Sequence, residues 1–203
     1  MRDRIVQSAA ELIFATGASE TTVDQVRSAV GASKSQLYHY FGDKDELLRA
    51  VIDFQGALIM EAQQPELGAI DSIASLKRWR DKLVQLSDAH GRIGGCPLGS
   101  LANELASHSE THRRALAAHF DHWAALIEEG LLRMQASGRL GPSLDPKALS
   151  TTILTAIQGG LLLTKLQHSS MALSAALDEI IQSIERNSKR PQSRPQHPDT
   201  RKL

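Results

Sequence analysis

The sequence predicts an all-α protein of about nine helices. Three observations carry that prediction: apolar residues recur at spacings of three and four along nearly the whole chain, strand-type alternation is almost absent, and Gly- or Pro-bearing breaks divide the pattern into helix-length pieces. At 203 residues the chain is long enough for one or two compact units with a sizeable core.

A first helix is expected over about 3–16, with Ile5, Ala9, Leu12 and Ile13 facing inward and Gly17 ending it. Thr21 or Thr22 can cap a second helix that buries Val23, Val26 and Val30, and Gly31 supplies the turn after it. Ser33 caps a short third helix running through Phe41. Asp43 caps a long fourth, with Leu47, Leu48, Val51, Leu58 and Ile59 as its apolar stripe. Gln64–Gly68 reads as a linker, and Ile73, Leu76, Leu83 and Leu86 mark one face of a fifth helix. Gly91–Gly95 holds three glycines and reads as a turn, and Pro97 suits the first turn of a sixth helix to about Ala106. Ser109 can cap a seventh, carrying Leu116, Phe120, Trp123, Ile127, Leu131 and Met134. After a loop at Gly138–Pro146, two last helices are expected over about 146–168 and 171–186.

The charge balance constrains the partners. The chain has 23 Lys and Arg against 23 Asp and Glu, so it is formally neutral. A local surplus lies in the tail, where Lys189, Arg190, Arg194, Arg201 and Lys202 stand against Asp199, and where three prolines suggest disorder. Nucleic acid cannot be held by overall charge; placed contacts, and two copies of the chain, would be needed. No run reaches about 18 consecutive apolar residues, as a membrane span requires. Met1–Arg4 leads into an amphipathic pattern rather than a signal-peptide core. The single cysteine, Cys96, excludes an internal disulfide framework, and the cytoplasm is the simplest compartment.

The segment Thr22–Lys44 is the most informative. Two short helices around Gly31 have the layout of a helix-turn-helix, in which one helix braces on the DNA backbone while the next enters the major groove. Leu37 and Phe41 are four apart and should point inward, which leaves Lys34, Ser35, Gln36, Tyr38 and His39 outward. The Gln36 amide can pair with adenine edges, and Lys34 can reach guanine or phosphate. Thr22, at a helix start, and Lys44, at the opening of the fourth helix, suit phosphates on either side of a groove. Tyr38, His39 and Tyr40 would also suit the surface and core of a plain three-helix module.

Ile5–Gly17, Thr21-Thr22-Val23, Gly31-Ala32-Ser33-Lys34, Leu37-Tyr38-His39-Tyr40-Phe41 and Lys44-Leu47-Leu48 together resemble the N-terminal domain of TetR-family transcriptional regulators over residues 5–52. The resemblance implies a two-fold dimer that represses from an operator and leaves it when a small ligand enters the C-terminal domain. It also implies a DNA-facing set of Thr22, Ser33, Lys34, Ser35, Tyr38, His39, Tyr40 and Lys44. Ala32 stands where valine is commoner, and Ser35 where glycine is commoner, so the operator sequence does not carry over.

In the second half, Gly94–Glu104 resembles the same region of one branch of that family, which includes repressors sensing reactive electrophiles or flavonoid-like compounds. Independently, Cys96 precedes Pro97 at a helix start, where the helix dipole and free N–H groups favour a thiolate; a buried, inert cysteine is the commoner alternative. Trp79, Phe120, Trp123 and Met134 are candidate apolar walls of a ligand pocket, with Cys96, His90, Asn103, His119 and Gln158 as polar points. His108 and His112 are four apart and His119 and His122 three apart. Ser107–Ser109 interrupts the first pair and no Cys or carboxylate completes a set, so no metal is expected. Gly159-Gly160 within Ile153–Leu166 suggests close approach of another helix. With Leu163, Leu177 and Ile181 it makes an intersubunit four-helix bundle the natural reading; a contact within the chain is the alternative.

The expected organisation is a helix-turn-helix domain at 1–46, a ligand-binding and dimerisation domain at 47–187, and a basic tail at 188–203. The expected function is a homodimeric repressor of double-stranded operator DNA, without cofactor, catalytic residue or membrane partner, released by a small molecule or electrophile. A helical ligand carrier or enzyme with a vestigial helix-turn-helix is the alternative, opposed by the lack of a nucleophile–base pair or phosphate loop at a convincing spacing. An activator is a third reading.

Overall fold

The computed structural model describes residues 1–89 and 95–188. Among the described residues the chain forms nine helices and no strand: α1 (Arg2–Thr16), α2 (Val23–Val30), α3 (Lys34–Tyr40), α4 (Lys44–Ala62), α5 (Ile73–Ala89), α6 (Pro97–Leu105), α7 (Glu110–Ala136), α8 (Pro146–Gln167) and α9 (Met171–Ser188). The expected turn at 91–94 and the basic tail from 189 onward lie outside the described residues.

Helices α1 to α3 close over the first half of α4. Ile5, Val6, Ala9, Ala10 and Ile13 from α1 meet Val26, Leu37, Phe41 and the Leu47, Leu48, Val51, Ile52 stripe of α4. The expected caps Thr22, Ser33, Asp43 and Ser109 all accept a backbone N–H at their helix starts. Gly31 follows α2 at φ 66°, a left-handed conformation that costs glycine least. Val23 and Val30, expected inside, are only partly buried.

The buried stripe of α4 drifts around the helix, passing through Gln55, Gly56 and Gln63, as a period of 3.6 demands. Leu58 falls off it and is exposed, against expectation. This drift lets one helix serve two cores: α4 packs on α1 at its beginning and on α6 and α7 farther along. It runs unbroken through the boundary expected at residue 46.

The segment expected as a linker, Gln64–Gly68, is firmly anchored. Leu67 and Ile70 are fully buried, and Arg133 of α7 donates to the carbonyls of Gly68 (2.9 Å) and Ile70 (3.1 Å). The rest is a helical stack in which α8 packs on α7 and α9, α5 packs on α9, and short α6 lies against α4 and α7. Trp79, Trp123, Ile127, Leu131 and Met134 fill its centre.

Candidate DNA-binding surface and regulatory half

Both helices of the α2–α3 unit begin with a reciprocal capping box. Thr22 Oγ1 accepts from Gln25 N–H (3.2 Å) while the Gln25 side chain accepts from Thr22 N–H (2.6 Å) and from the Thr22 hydroxyl (2.9 Å). Ser33 and Gln36 repeat the arrangement at 3.2 and 2.9 Å. Two expectations change in consequence. The Thr22 hydroxyl is committed to its own helix rather than free for a phosphate. The Gln36 carbonyl accepts from Ser33 N–H, so the side chain is tied to its own helix start, with a second carbonyl lone pair and the NH2 group left for other partners. Both boxes have their sequence signature in T-x-x-Q and S-x-x-Q.

Helix α3 turns Leu37 into the core (1% exposed), with Phe41 just beyond its end (2%), and leaves Ser33, Lys34, Ser35, Gln36, Tyr38, His39 and Tyr40 on the surface. The Lys34 ammonium sits 5.9 Å from the centre of the Tyr38 ring, and the rings of His39 and Tyr40 meet edge-on at 5.1 Å. Lys44 takes another course: its Nζ donates to the Ala18 carbonyl at 2.8 Å, in the α1–α2 turn. Two cations not foreseen lie beside this unit, Arg2 with its guanidinium 5.2 Å from the Phe41 ring and Arg4 donating to the Val30 carbonyl at 3.5 Å.

Cys96 is the N-cap of α6, and its Sγ accepts from Gly99 N–H at 3.4 Å, the placement expected from Pro97. Burial works against a thiolate nonetheless. Cys96 is buried, and desolvation, the largest effect, pushes its thiol above the ordinary value despite the opposing Gly99 N–H. Gln158 of α8 lies against the start of α6, so that a Cβ at Gly99 would stand 2.9 Å from its Oε1. Trp123 Nε1 and Gln158 Nε2 are buried donors with no hydrogen-bond acceptor among the described residues.

The other pocket candidates divide. Trp79 is buried, but its indole N–H donates to Gln63 Oε1 at 3.1 Å and ties α5 to the end of α4. Phe120 is half-buried beside the core, Asn103 is exposed, and His90 lies outside the described residues. The histidines of α7 join it to α4: His112 Nε2 lies 3.1 Å from the Asp45 carbonyl and His119 Nε2 3.0 Å from Asp53 Oδ1. A Cβ at Gly56 would overlap the His119 ring.

The residues expected at an intersubunit bundle also divide. Gly160 faces α9 of the same chain, where a Cβ would stand 2.7 Å from Leu173 Cα; Leu177 and Ile181 are buried in the same intrachain contact. Gly159 faces open space and Leu163 is exposed, alongside Leu162 and Leu166 (68% exposed). A two-residue pair on a helix of period 3.6 must point in two directions, and here one points inward and the other out.

An exposed α3 following a capped turn, mounted on a larger helical stack, defines the class as helix-turn-helix DNA-binding regulators. Residues 5–51 match the family model "Bacterial regulatory proteins, tetR family", and residues 72–179 match "Transcriptional regulator LmrA/YxaF-like, C-terminal domain". The chain belongs to the TetR family of transcriptional regulators, with an LmrA/YxaF-like C-terminal domain, and is not an enzyme. It is 26% identical over 186 residues to the uncharacterized HTH-type regulator YxaF of Bacillus subtilis, covering 88% of this chain and 92% of that one. It is 27% identical over 174 residues to the HTH-type regulator LmrA of the same organism, covering 85% and 90%. Among solved structures, the reduced form of Escherichia coli NemR superposes with a TM-score of 0.81 at 21% identity, covering 90% of this chain and 96% of that one, a likeness of fold.

Proposed function

We propose that this DNA-binding regulator is a cytoplasmic homodimeric repressor, held on a double-stranded operator by α3 and released when a small molecule enters the C-terminal half. The observation that carries the reading is the division of α3, with Leu37 buried and Lys34, Ser35, Tyr38, His39 and Tyr40 presented together. Ser33 at the helix start and Gln36 join that set. Beyond its bond to Ser33 the Gln36 amide keeps a carbonyl lone pair and two N–H donors, so it can address a base edge in the major groove. Lys34 and Tyr38 act as a stacked pair near the backbone.

The outward face of α8 supports the dimer. Its most apolar 18-residue stretch has a mean hydropathy of 1.2, yet only 28% of that stretch is buried in the chain. Gly159 in open space allows a second backbone to approach, and Leu162, Leu163 and Leu166 supply the apolar contact. A dimer also supplies the second recognition helix that a formally neutral chain needs.

For the inducer site, Trp123 and Gln158 offer buried donors without acceptors, at a cost of about 1–3 kcal/mol each that a ligand's acceptor oxygens would relieve. Cys96 on α6 and Phe120 on α7 are the further candidates for this site. Burial of the Cys96 thiol favours a small molecule binding reversibly over an electrophile that needs a thiolate.

Selection from random duplex DNA, followed by a gel shift on the selected sequence, tests the reading. Tyr38→Ala is expected to weaken binding at least about tenfold with helical circular dichroism unchanged, since Tyr38 is exposed. Undiminished binding would remove α3 from the interface. A compound screen for release, repeated on Cys96→Ser, then separates the two kinds of inducer: release lost in that variant would favour the electrophile.

A further inference from the structure

Helix α6 has Cys96 at its start and Glu104 in its last turn, about 12 Å away at 1.5 Å per residue. Its start lies against Gln158 of the regulatory half, and its end touches the DNA-binding domain. Glu104 Oε2 accepts two backbone hydrogen bonds from the α1–α2 turn, from Ala18 N–H at 2.7 Å and Ser19 N–H at 3.1 Å. The carbonyl of the same Ala18 accepts from Lys44 Nζ at 2.8 Å. A carboxylate therefore holds the N–H side of this turn and an ammonium its C=O side, both as charge-assisted bonds.

The turn is built to receive them. Gly17 sits at φ 96°, and a Cβ there would stand 3.2 Å from Glu104 Oε2. The Thr21 hydroxyl closes the turn by donating to the Gly17 carbonyl at 2.7 Å, and Thr22 immediately begins α2. A crevice of about 10 Å³, room for one water, lies between α1, α4 and α6, lined by Ala10, Ile13, Gln55, Ser100, Leu101 and Glu104 itself.

Resting on the regulator reading above, we propose that Glu104 is a positioning residue for DNA binding, its carboxylate fixing the α1–α2 turn to α6 so that the setting of α2 and α3 follows that of α6. Lys44 completes the clasp from α4 instead of reaching for a phosphate. Displacement of the Cys96 end of α6 would reach the helix-turn-helix through about 12 Å of rigid helix and two hydrogen bonds.

Three variants separate the hydrogen bonds from charge and bulk. Glu104→Leu keeps bulk and removes the acceptor, Glu104→Asp keeps the charge but withdraws the oxygens, and Glu104→Gln keeps an acceptor without charge. Each is measured against the duplex selected by the wild-type chain, together with hydrogen exchange of the amides of residues 17–22 and the urea midpoint. Expected for Glu104→Leu and Glu104→Asp is a loss of affinity of about five- to twentyfold, as a preorganised reader becomes loose, with faster exchange of the turn. Glu104→Gln should stay within about threefold of wild type. Wild-type affinity in both Glu104→Leu and Glu104→Asp overturns the proposal, as does an equal loss in all three, or unchanged exchange at the turn. A Leu variant that does not fold leaves Asp and Gln to decide by the same comparison. A wild-type chain that selects no duplex overturns the regulator reading instead, and the exchange of the turn then decides the clasp by itself.

Discussion

At Cys96 two local effects act in opposite directions. The α6 start offers its thiol the Gly99 N–H, which favours the anion, while burial removes the water that an anion needs, and burial is the larger. Alkylation by iodoacetamide near pH 8 should therefore run at least about tenfold slower in the native chain than in urea, read by mass spectrometry; equal rates would restore the thiolate. Glu110 is shifted the other way. Hydrogen bonds from Arg113 and then Arg114, at 2.6 to 2.8 Å, lower its carboxyl from 4.5 to about 2. A depressed carboxyl contributes stability above its unfolded value and loses it as pH falls through the folded one. The gap in melting temperature between wild type and Glu110→Gln should hold steady at neutral pH and close between 4.5 and about 2. Because the group is fully exposed, the gap is small at every pH. Residue type alone made Ser33 legible as a helix cap, whereas the Gln36 carbonyl had two possible partners, a base or Ser33 N–H. Proximity within one turn decided for Ser33.

Among the elements, α8 separates what sequence could and could not reveal. Two adjacent glycines signalled a close approach; which side it came from required the neighbours. Gly160 admits Leu173 of α9, so Gly160→Ala should destabilise by about 1–3 kcal/mol in urea denaturation, since backbone would have to move. A Cβ at Gly159 would meet nothing within 4 Å among the described residues, so in a dissociated chain Gly159→Ala should stabilise by up to ~1 kcal/mol through helix propensity. Opposite signs for neighbouring glycines are the check; equal signs would place both on one surface. The starts of α2, α3, α4 and α7 were legible because Thr22, Ser33, Asp43 and Ser109 act within a single turn. The anchoring of Gln64–Gly68 was not, since Arg133 reaches it from more than 60 residues away.

For the molecule as a whole, the fold class and the exposed helix α3 of the helix-turn-helix followed from periodicity and the Thr22–Lys44 stretch, while the regulatory half was legible only as helices. Its polar groups, Gln158 and Trp123, take their meaning from what lies opposite them, and sequence does not order those neighbours. Replacing Leu163 and Leu166 together by Glu should shift the mass by light scattering from two chains to one and weaken operator binding in step. A mass that stays at two chains would move the interface elsewhere. The passage of α4 through both cores has a consequence for building chimaeras. Cutting after residue 46 would strip α1 of Leu47, Leu48, Val51 and Ile52, and leave the N-terminal helices without the wall they close on. Grafting this DNA specificity onto another sensor therefore means transplanting through Ala62, and with α4 goes the surface that His112, His119 and Glu104's helix have to recognise in their new host.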